Sequence, residues 1–390
     1  MSSNILPEPP DELKQLSHSL SLRIRESFDS DGMMPFSRFM EMALYEPGLG
    51  YYSAGLHKLG ASGDFITAPE LGPLFASCLA RQVAELADTL GNYDILEAGA
   101  GTGRLAADLL RQLPPDKLPG RYLVLERSAD LRRVQREHIQ AMAPELADRV
   151  VWLDQPPEAG WQGVLIANEV LDALAVERFR MGEAGVEQLC VTRKDDHFAW
   201  SRREAPAELE LAVKHAATSA GLEFRPGYRS EINLHLADWV AAVTCRMTRG
   251  LALFIDYGYP RREFYLPERS DGTLMCHYRH RAHDDVFFWP GLQDITAWVD
   301  FTALAEAADR HSMDVEGYTS QAMFLLGCGL DQVLAGHGAN SADGGLALGA
   351  QARELTLPGL MGEKFQVMGL GRGLTEPLCG FRLQDLRYRL

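Results

Sequence analysis

Apolar positions along the chain follow two rhythms. Leu13, Leu16, Leu20 and Ile24 recur at helical spacing and predict a helix over 11–29. A second helix should start at Pro35-Phe36-Ser37-Arg38-Phe39-Met40 and stop at Pro47-Gly48, since proline and glycine break the helical repeat. Gly48 to Pro69 is rich in glycine, with Gly63-Asp64-Phe65-Ile66-Thr67 at its centre. Such a segment is either a plain loop or a flap over a ligand. Glu70 to Leu90 is a long amphipathic helix.

Beyond residue 92 the rhythm changes. Short apolar runs at Tyr93–Ala98, Tyr122–Leu125, Val150–Leu153 and Gly163–Ala167 predict strands. Helical stretches at Leu105–Leu113 and Asp130–Met142 lie between them. This alternation predicts an α/β fold with a parallel, doubly wound sheet. Regularity then breaks. Residues 176–200 are short alternating strands, and 204–220 and 233–248 are helices, which together look inserted. Leu251–Ile255 resumes the parallel pattern. Residues 259–300 are loop-heavy, helices follow around 301–312 and 319–327, Gly336–Gly345 is a small-residue loop, and Phe365–Leu370 is a closing strand. The expected organisation is a helical cap with glycine-rich flap over 1–75 and a sheet core over 76–175. An insertion over 176–250, more core over 251–275, and substrate-facing loops, helices and the closing strand over 276–390 complete it.

Charge narrows the partners. Asp plus Glu number 54 against 38 Lys plus Arg, a net charge of −16. Such a chain repels phosphate backbones, so no nucleic-acid partner is expected. A basic protein or a cationic small ligand suits the field better. Six cysteines are scattered with no CxxC pair, which fits reduced packing residues and a cytoplasmic location. The N-terminus shows no signal or transit pattern, and no run of about 18 apolar residues predicts a membrane span. His277, His280 and His283 have a spacing that could gather a metal on a helix, but the surrounding arginines would repel it. No metal is expected.

The densest chemistry is Glu97-Ala-Gly99-Ala-Gly101-Thr-Gly103. Small residues at the head of a helix let backbone pass close to a ligand. Gly101 to Ala106 can be forced onto a dinucleotide fingerprint, but its first glycine then sits three residues past the strand. Glu97 would also oppose a pyrophosphate. S-adenosylmethionine carries an ammonium and a sulfonium and no phosphate, so Glu97 would attract it. Glu126, 23 residues past Gly103, can accept ribose hydroxyls from either cofactor class, and Asp154 could accept from the adenine amino group. A single acid of this kind more often caps a turn. Acids at successive strand ends point to a site at the carboxyl edge of the sheet.

These residues and others place the chain near a known family. It resembles the S-adenosylmethionine-dependent methyltransferases that include mitochondrial complex I assembly factor 7, a protein arginine methyltransferase with many bacterial relatives. The resemblance runs from about Phe36 to Gly371. Its marks are Tyr45-Glu-Pro-Gly-Leu-Gly-Tyr-Tyr52, Gly63-Asp-Phe-Ile-Thr-Ala-Pro-Glu70, the glycine turn, Asn168-Glu-Val-Leu-Asp-Ala173, Asp256-Tyr-Gly258, Pro290-Gly-Leu-Gln-Asp-Ile-Thr296, Val299-Asp-Phe301 and Met361-Gly-Glu-Lys-Phe365. The family usually has proline and arginine inside the turn, where this chain has Ala100 and Thr102. The resemblance implies a class I methyltransferase-like Rossmann sheet with an N-terminal helical cap and an inserted, largely β/α substrate subdomain. It also implies S-adenosylmethionine as cofactor and an arginine-bearing protein substrate, with a respiratory-complex subunit as one candidate. Monomer and homodimer stay open.

Methyl transfer is an in-line displacement, in which the protein aligns the nucleophile and excludes water. Asn168 and Glu169 end the fourth strand, with Asp172 expected one helical turn beyond. These three are the catalytic candidates, Glu169 binding the target nitrogen and Asn168 supplying a carbonyl. The plainer alternative is a solvated helix start. Cofactor candidates are Asp64, Glu97, Gly99, Gly101, Gly103, Glu126, Asp154 and Asn168. Asp284, Asp285, Asp294 and Asp300 could form an acidic wall for an arginine, or be ordinary surface charge. The rivals are a nicotinamide- or flavin-dependent oxidoreductase and a non-catalytic assembly factor that keeps the cofactor fold.

Overall fold

A computed structural model describes residues 6–55, 67–338 and 342–390. The chain divides into two compact units, each assembled from separated segments. One comprises Ile66–Leu171, Leu236–Pro260 and Val299–Leu390, and the other comprises Met1–Phe65, Asp172–His235 and Arg261–Trp298.

The first unit is built on an eight-stranded sheet. Its strands are β1 (Asp94–Ala98), β2 (Tyr122–Leu125), β3 (Val150–Leu153), β4 (Trp161–Asn168), β5 (Met247–Tyr259), β6 (Val299–Asp300), β7 (Asp314–Ser320) and β8 (Phe365–Arg372). Spatial order is β7-β8-β5-β4-β1-β2-β3, with β6 paired to the end of β5. The pairs from β5 through β3 are parallel, as is β5–β6, while β8 runs antiparallel to both β5 and β7. Strands covered on both faces should be continuously apolar. Val164, Leu165 and Ile166 of β4 and Leu251 to Ile255 of β5 are all fully buried. The chain leaves β1 toward β2 and β3, then crosses back to place β4 on the other side of β1. Direction therefore reverses between β1 and β4, which is where open α/β sheets bind ligands.

Helix Pro73–Leu90 buries Leu74, Phe75, Leu79, Val83 and Leu86 in the core of this unit. A fully buried leucine or phenylalanine contributes roughly 1.5–3 kcal/mol. Helix Arg104–Gln112 follows the glycine turn, and helix Ala129–Met142 follows β2. Ser128 caps the latter, its Oγ accepting from the Leu131 N–H.

The second unit holds helices Asp11–Glu26 and Phe36–Tyr45. A five-stranded sheet is antiparallel throughout, with strands Met33–Pro35, Val186–Lys194, Glu177–Met181, Arg229–Ile232 and His197–Glu204. Phe36, Phe39, Phe198, Trp200 and Phe287 interlock through ring pairs 5.1–6.3 Å apart. Glu231, fully buried, is paired with Arg178 at 3.3 Å.

Two expectations need correction. Residues 259–300 are loop-heavy, as expected, but not wholly loop. They contain strands Met275–Tyr278, Arg281–His283 and Asp294–Thr296, each too short to display alternation. The histidine run is consequently a hairpin where a loop is expected. Gly336–Gly345 is not a free loop either, because helix Leu330–Gly338 runs into it and helix Ala342–Thr356 begins inside it. Residues 339–341 lie outside the described residues. Among the described residues, no helix is long and apolar enough to cross a membrane, and no group of three or more His, Cys, Asp or Glu could hold a metal ion.

Candidate active site at the carboxyl edge of the sheet

The turn after β1 needs its glycines. Gly99, Gly101 and Gly103 have φ of 68°, 53° and 83°, the left-handed region that a β-carbon disfavours. A β-carbon on Gly99 would also stand 2.9 Å from Val170 Cγ2, so the turn lies against the loop that follows β4. The result is a bare backbone cradle at the head of helix Arg104–Gln112. Thr102, one of the two positions that depart from the family pattern, donates its hydroxyl to Glu70.

The acids expected at the strand ends occupy four different environments. Glu97 is almost wholly buried (3% exposed) and accepts from the Tyr122 hydroxyl at 2.8 Å. Burial raises its pKa to about 7, the Tyr122 bond opposes that rise, and the Glu126 charge adds to it. Glu97 thus serves a buried hydrogen bond, which its sequence position does not disclose. Glu126 is half-buried. One oxygen accepts from Ser128 N–H at 2.8 Å and the other from Gln135 Nε2 at 3.2 Å. Burial pushes its pKa up while these N–H groups pull it down. Asp154 is exposed and ion-paired with Arg132, which also donates to the carbonyls of Glu126 and Leu153.

Glu169 is the fourth acid. No helix starts there: β4 ends at Asn168 and the chain turns. Glu169 itself sits at φ 54°, an uncommon conformation for a side-chain-bearing residue. Asp256 explains how it is held. This fully buried carboxylate accepts from the N–H groups of Val170 (3.1 Å), Leu171 (2.9 Å) and Tyr257 (2.9 Å). Glu169 N–H donates to the Ile255 carbonyl at 2.9 Å. The loop is pinned from β5, and the Glu169 side chain accepts from Asn168 Nδ2 at 3.0 Å and from Ala68 N–H at 3.4 Å. Asn168 Oδ1 is buried with no hydrogen-bond partner among the described residues. A buried unpaired acceptor costs roughly 1–3 kcal/mol, and a bound donor would relieve it.

The structure thus gathers Glu97, the three glycines, Glu126, Asn168 and Glu169 along one edge at the switch point. It does not place Asp172 one helical turn on. Asp172 lies in a turn, is 5% exposed, and belongs to the other unit, where its carbonyl accepts from Ala297 N–H. Asp64 lies outside the described residues. Burial raises the Cys276 pKa, and of the expected acidic wall Asp285, Asp294 and Asp284 lie close enough to add to that rise, while Asp300 belongs to the first unit. Asp300 caps helix Phe301–Arg310, Asp285 accepts from Phe287 N–H, and Asp294 accepts from the Tyr52 hydroxyl. Sequence reasoning missed Asp256 and Gln135 as site residues. For Gln135 the signal is a polar residue between Leu131 and Ile139 on one helical face.

A cradle without side chains, a carboxylate with both oxygens oriented, and an unsatisfied carbonyl suit an adenosine ligand bearing an ammonium. The comparisons agree. A family model of S-adenosyl-L-methionine-dependent methyltransferases matches residues 78–319. A crystal structure from Burkholderia thailandensis bound to S-adenosyl-homocysteine is 42% identical, with 99% of this chain and 100% of that one covered at a TM-score of 0.93. A native crystal structure from the same organism is 41% identical over 99% and 100% of the two chains, with a TM-score of 0.90. Among curated proteins, the protein arginine methyltransferase NDUFAF7 of Danio rerio is 26% identical over 81% of this chain and 78% of its own. The Drosophila melanogaster homologue is 25% identical over 96% and 92%.

Proposed function

The chain belongs to the S-adenosyl-L-methionine-dependent methyltransferases, and from that premise we propose that it methylates an arginine side chain of a partner protein. When bound, the cofactor supplies a methyl group on a positively charged sulfur, with a neutral thioether as leaving group. Glycine backbone at 99–103 and the Glu126 carboxylate hold the adenosine end. Asn168 and Glu169 receive the acceptor.

The observation that carries the reading is the unpaired, buried Oδ1 of Asn168 beside the strained Glu169. A guanidinium is planar, has five N–H donors and accepts nothing. An amide carbonyl and a carboxylate are therefore the partners it requires. Together they orient one nitrogen toward the methyl carbon. The nitrogen lone pair forms the new N–C bond, the C–S electrons stay on sulfur, and Glu169 takes up the proton lost from nitrogen. The names of the distant relatives support the same acceptor. The net charge of −16 suits a basic protein partner. A respiratory-complex subunit is the partner we favour, on the resemblance. A reducing, cytoplasmic location accords with six cysteines that are all unbridged.

The test is transfer of labelled methyl from S-adenosylmethionine into extract of a strain lacking the protein, followed by mass spectrometry of the labelled product. Methylarginine is expected, reduced at least about 100-fold by Glu169→Gln, with S-adenosylhomocysteine affinity held within about threefold. Label on lysine, on a carboxylate or on a small molecule would refute the arginine assignment. Full partner function in the Glu169→Gln variant would point to a scaffold.

A further inference from the structure

Gln135 is an amide where the helix pattern calls for an apolar side chain. It lies on helix Ala129–Met142 between Leu131 and Ile139 and is fully buried. Its polar atoms are spent on three separate strand ends. Nε2 donates to the Gly101 carbonyl at 3.0 Å and to Glu126 at 3.2 Å, while Oε1 accepts from Trp152 Nε1 at 2.9 Å. These contacts reach the turn after β1, the end of β2, and β3.

The partners determine the amide's orientation. A backbone carbonyl and a carboxylate only accept, and an indole N–H only donates. No other side chain of this length meets all three. Gly103 brings the helix close, since a β-carbon there would stand 3.1 Å from Gln135 Cα. Arg132, one turn earlier, binds the Glu126 carbonyl and so secures its backbone. Gln135 and the Ser128 N–H secure its carboxylate, one oxygen each. Each oxygen keeps lone pairs for an outside donor.

We propose that Gln135 is a positioning residue for the cofactor: it fixes the Glu126 carboxylate against the glycine turn in the pose that accepts the ribose hydroxyls. This rests on family membership and on Glu126 as the ribose acceptor. It is independent of the arginine assignment, because its test needs no methyl acceptor.

The experiment is calorimetric titration of the full-length protein with S-adenosylhomocysteine for Gln135→Met, Glu126→Gln and the double variant, with circular dichroism as a folding control. Gln135→Met keeps the length and loses the donors. Its dissociation constant should rise at least about tenfold. Because Gln135 acts through Glu126, the double variant should bind no worse than Glu126→Gln alone. Penalties that simply add would mean that Gln135 only packs, and would overturn the proposal.

Gln135→Glu gives a second readout should the methionine variant fail to fold. At pH 8 a carboxylate at 135 faces the Glu126 carboxylate and the Gly101 carbonyl, so affinity should fall at least about 100-fold. Toward pH 5.5, protonation restores a donor and part of the affinity. A pH-independent loss, or an unchanged dissociation constant, would refute it.

Discussion

Replacing Glu97 with glutamine should stabilise the protein in alkaline buffer and leave it unchanged in acid. Glu97 lies inside the sheet, with Tyr122 as hydrogen-bond donor, and burial carries its pKa from 4.5 to about 7. Between those values the folded chain holds a proton that the unfolded chain has released. A raised carboxylate pKa means that stability is fully present below pH 4.5 and is lost as pH climbs through 7. The gap is 7 minus 4.5, and at about 1.4 kcal/mol for each tenfold change it amounts to ~3 kcal/mol. The substituted amide is neutral at every pH and can accept from Tyr122 with its carbonyl. The pH effects of groups that do not interact with Glu97 cancel when the variant is subtracted from the parent.

Urea unfolding followed by tryptophan fluorescence at pH 4.5, 6, 7 and 8 measures that difference. It should be near zero at pH 4.5, grow through pH 6 and 7, and level at ~3 kcal/mol by pH 8. A difference that is flat with pH would show that Glu97 titrates like a surface acid. A variant less stable at every pH would show that an amide fits beside Tyr122 worse than the carboxyl group does, and would refute the expected gain.

Gly101→Val should abolish S-adenosylhomocysteine binding by calorimetry, because a β-branched residue resists φ 53° and its side chain intrudes on the backbone cradle. An unchanged dissociation constant would refute the cradle. Asp256→Ala removes the acceptor of all three N–H groups, which should release the 168–171 loop. Methyl transfer should drop about 100-fold with cofactor affinity kept within about threefold, measured by single-turnover kinetics and calorimetry; equal losses in both would show a general unfolding instead.

Much of the sheet is legible in the sequence because its signals are local. Tyr122–Leu125 is a short apolar run between a glycine-bounded loop and an acid, and the observed strand has the same limits. The glycine turn, Glu126, Asn168 and Glu169 can be named as candidates because a parallel sheet puts its ligand residues at strand ends, and strand ends can be counted along a sequence. Edge strand β7, Asp314–Ser320, escapes such a reading since its mixed polar residues show neither period. Asp172 is misplaced for a different reason. A helix is the natural expectation after β4, as in the units before it, but Asp256 captures the N–H groups of Val170 and Leu171 from 86 and 85 residues away. A contact over that separation leaves no trace in local pattern.

That contrast separates the residues that face a ligand from those that hold them in place. The first kind lies at strand ends and can be named from the sequence. The second kind is polar, buried and distant, and each member resembles something ordinary: Gln135 a helix-surface glutamine, Tyr122 a strand aromatic, Asp256 one more strand-end acid. Their effect is to make equivalent positions unequal. Glu97 lies near the end of one strand and Glu126, Asp154 and Glu169 just past three neighbouring ones, yet Tyr122 and burial draw the first inward. Gln135 and Ser128 hold the second by one oxygen each. Arg132 neutralises the third in solvent, and Asp256 pins the loop that sets the fourth in a left-handed conformation. A row of acids becomes a site only where such partners give each member its own burial and direction. On the proposed function, the cofactor-binding and methyl-accepting roles fall to the two whose carboxylates are neither sealed inside the sheet nor neutralised in solvent, Glu126 and Glu169.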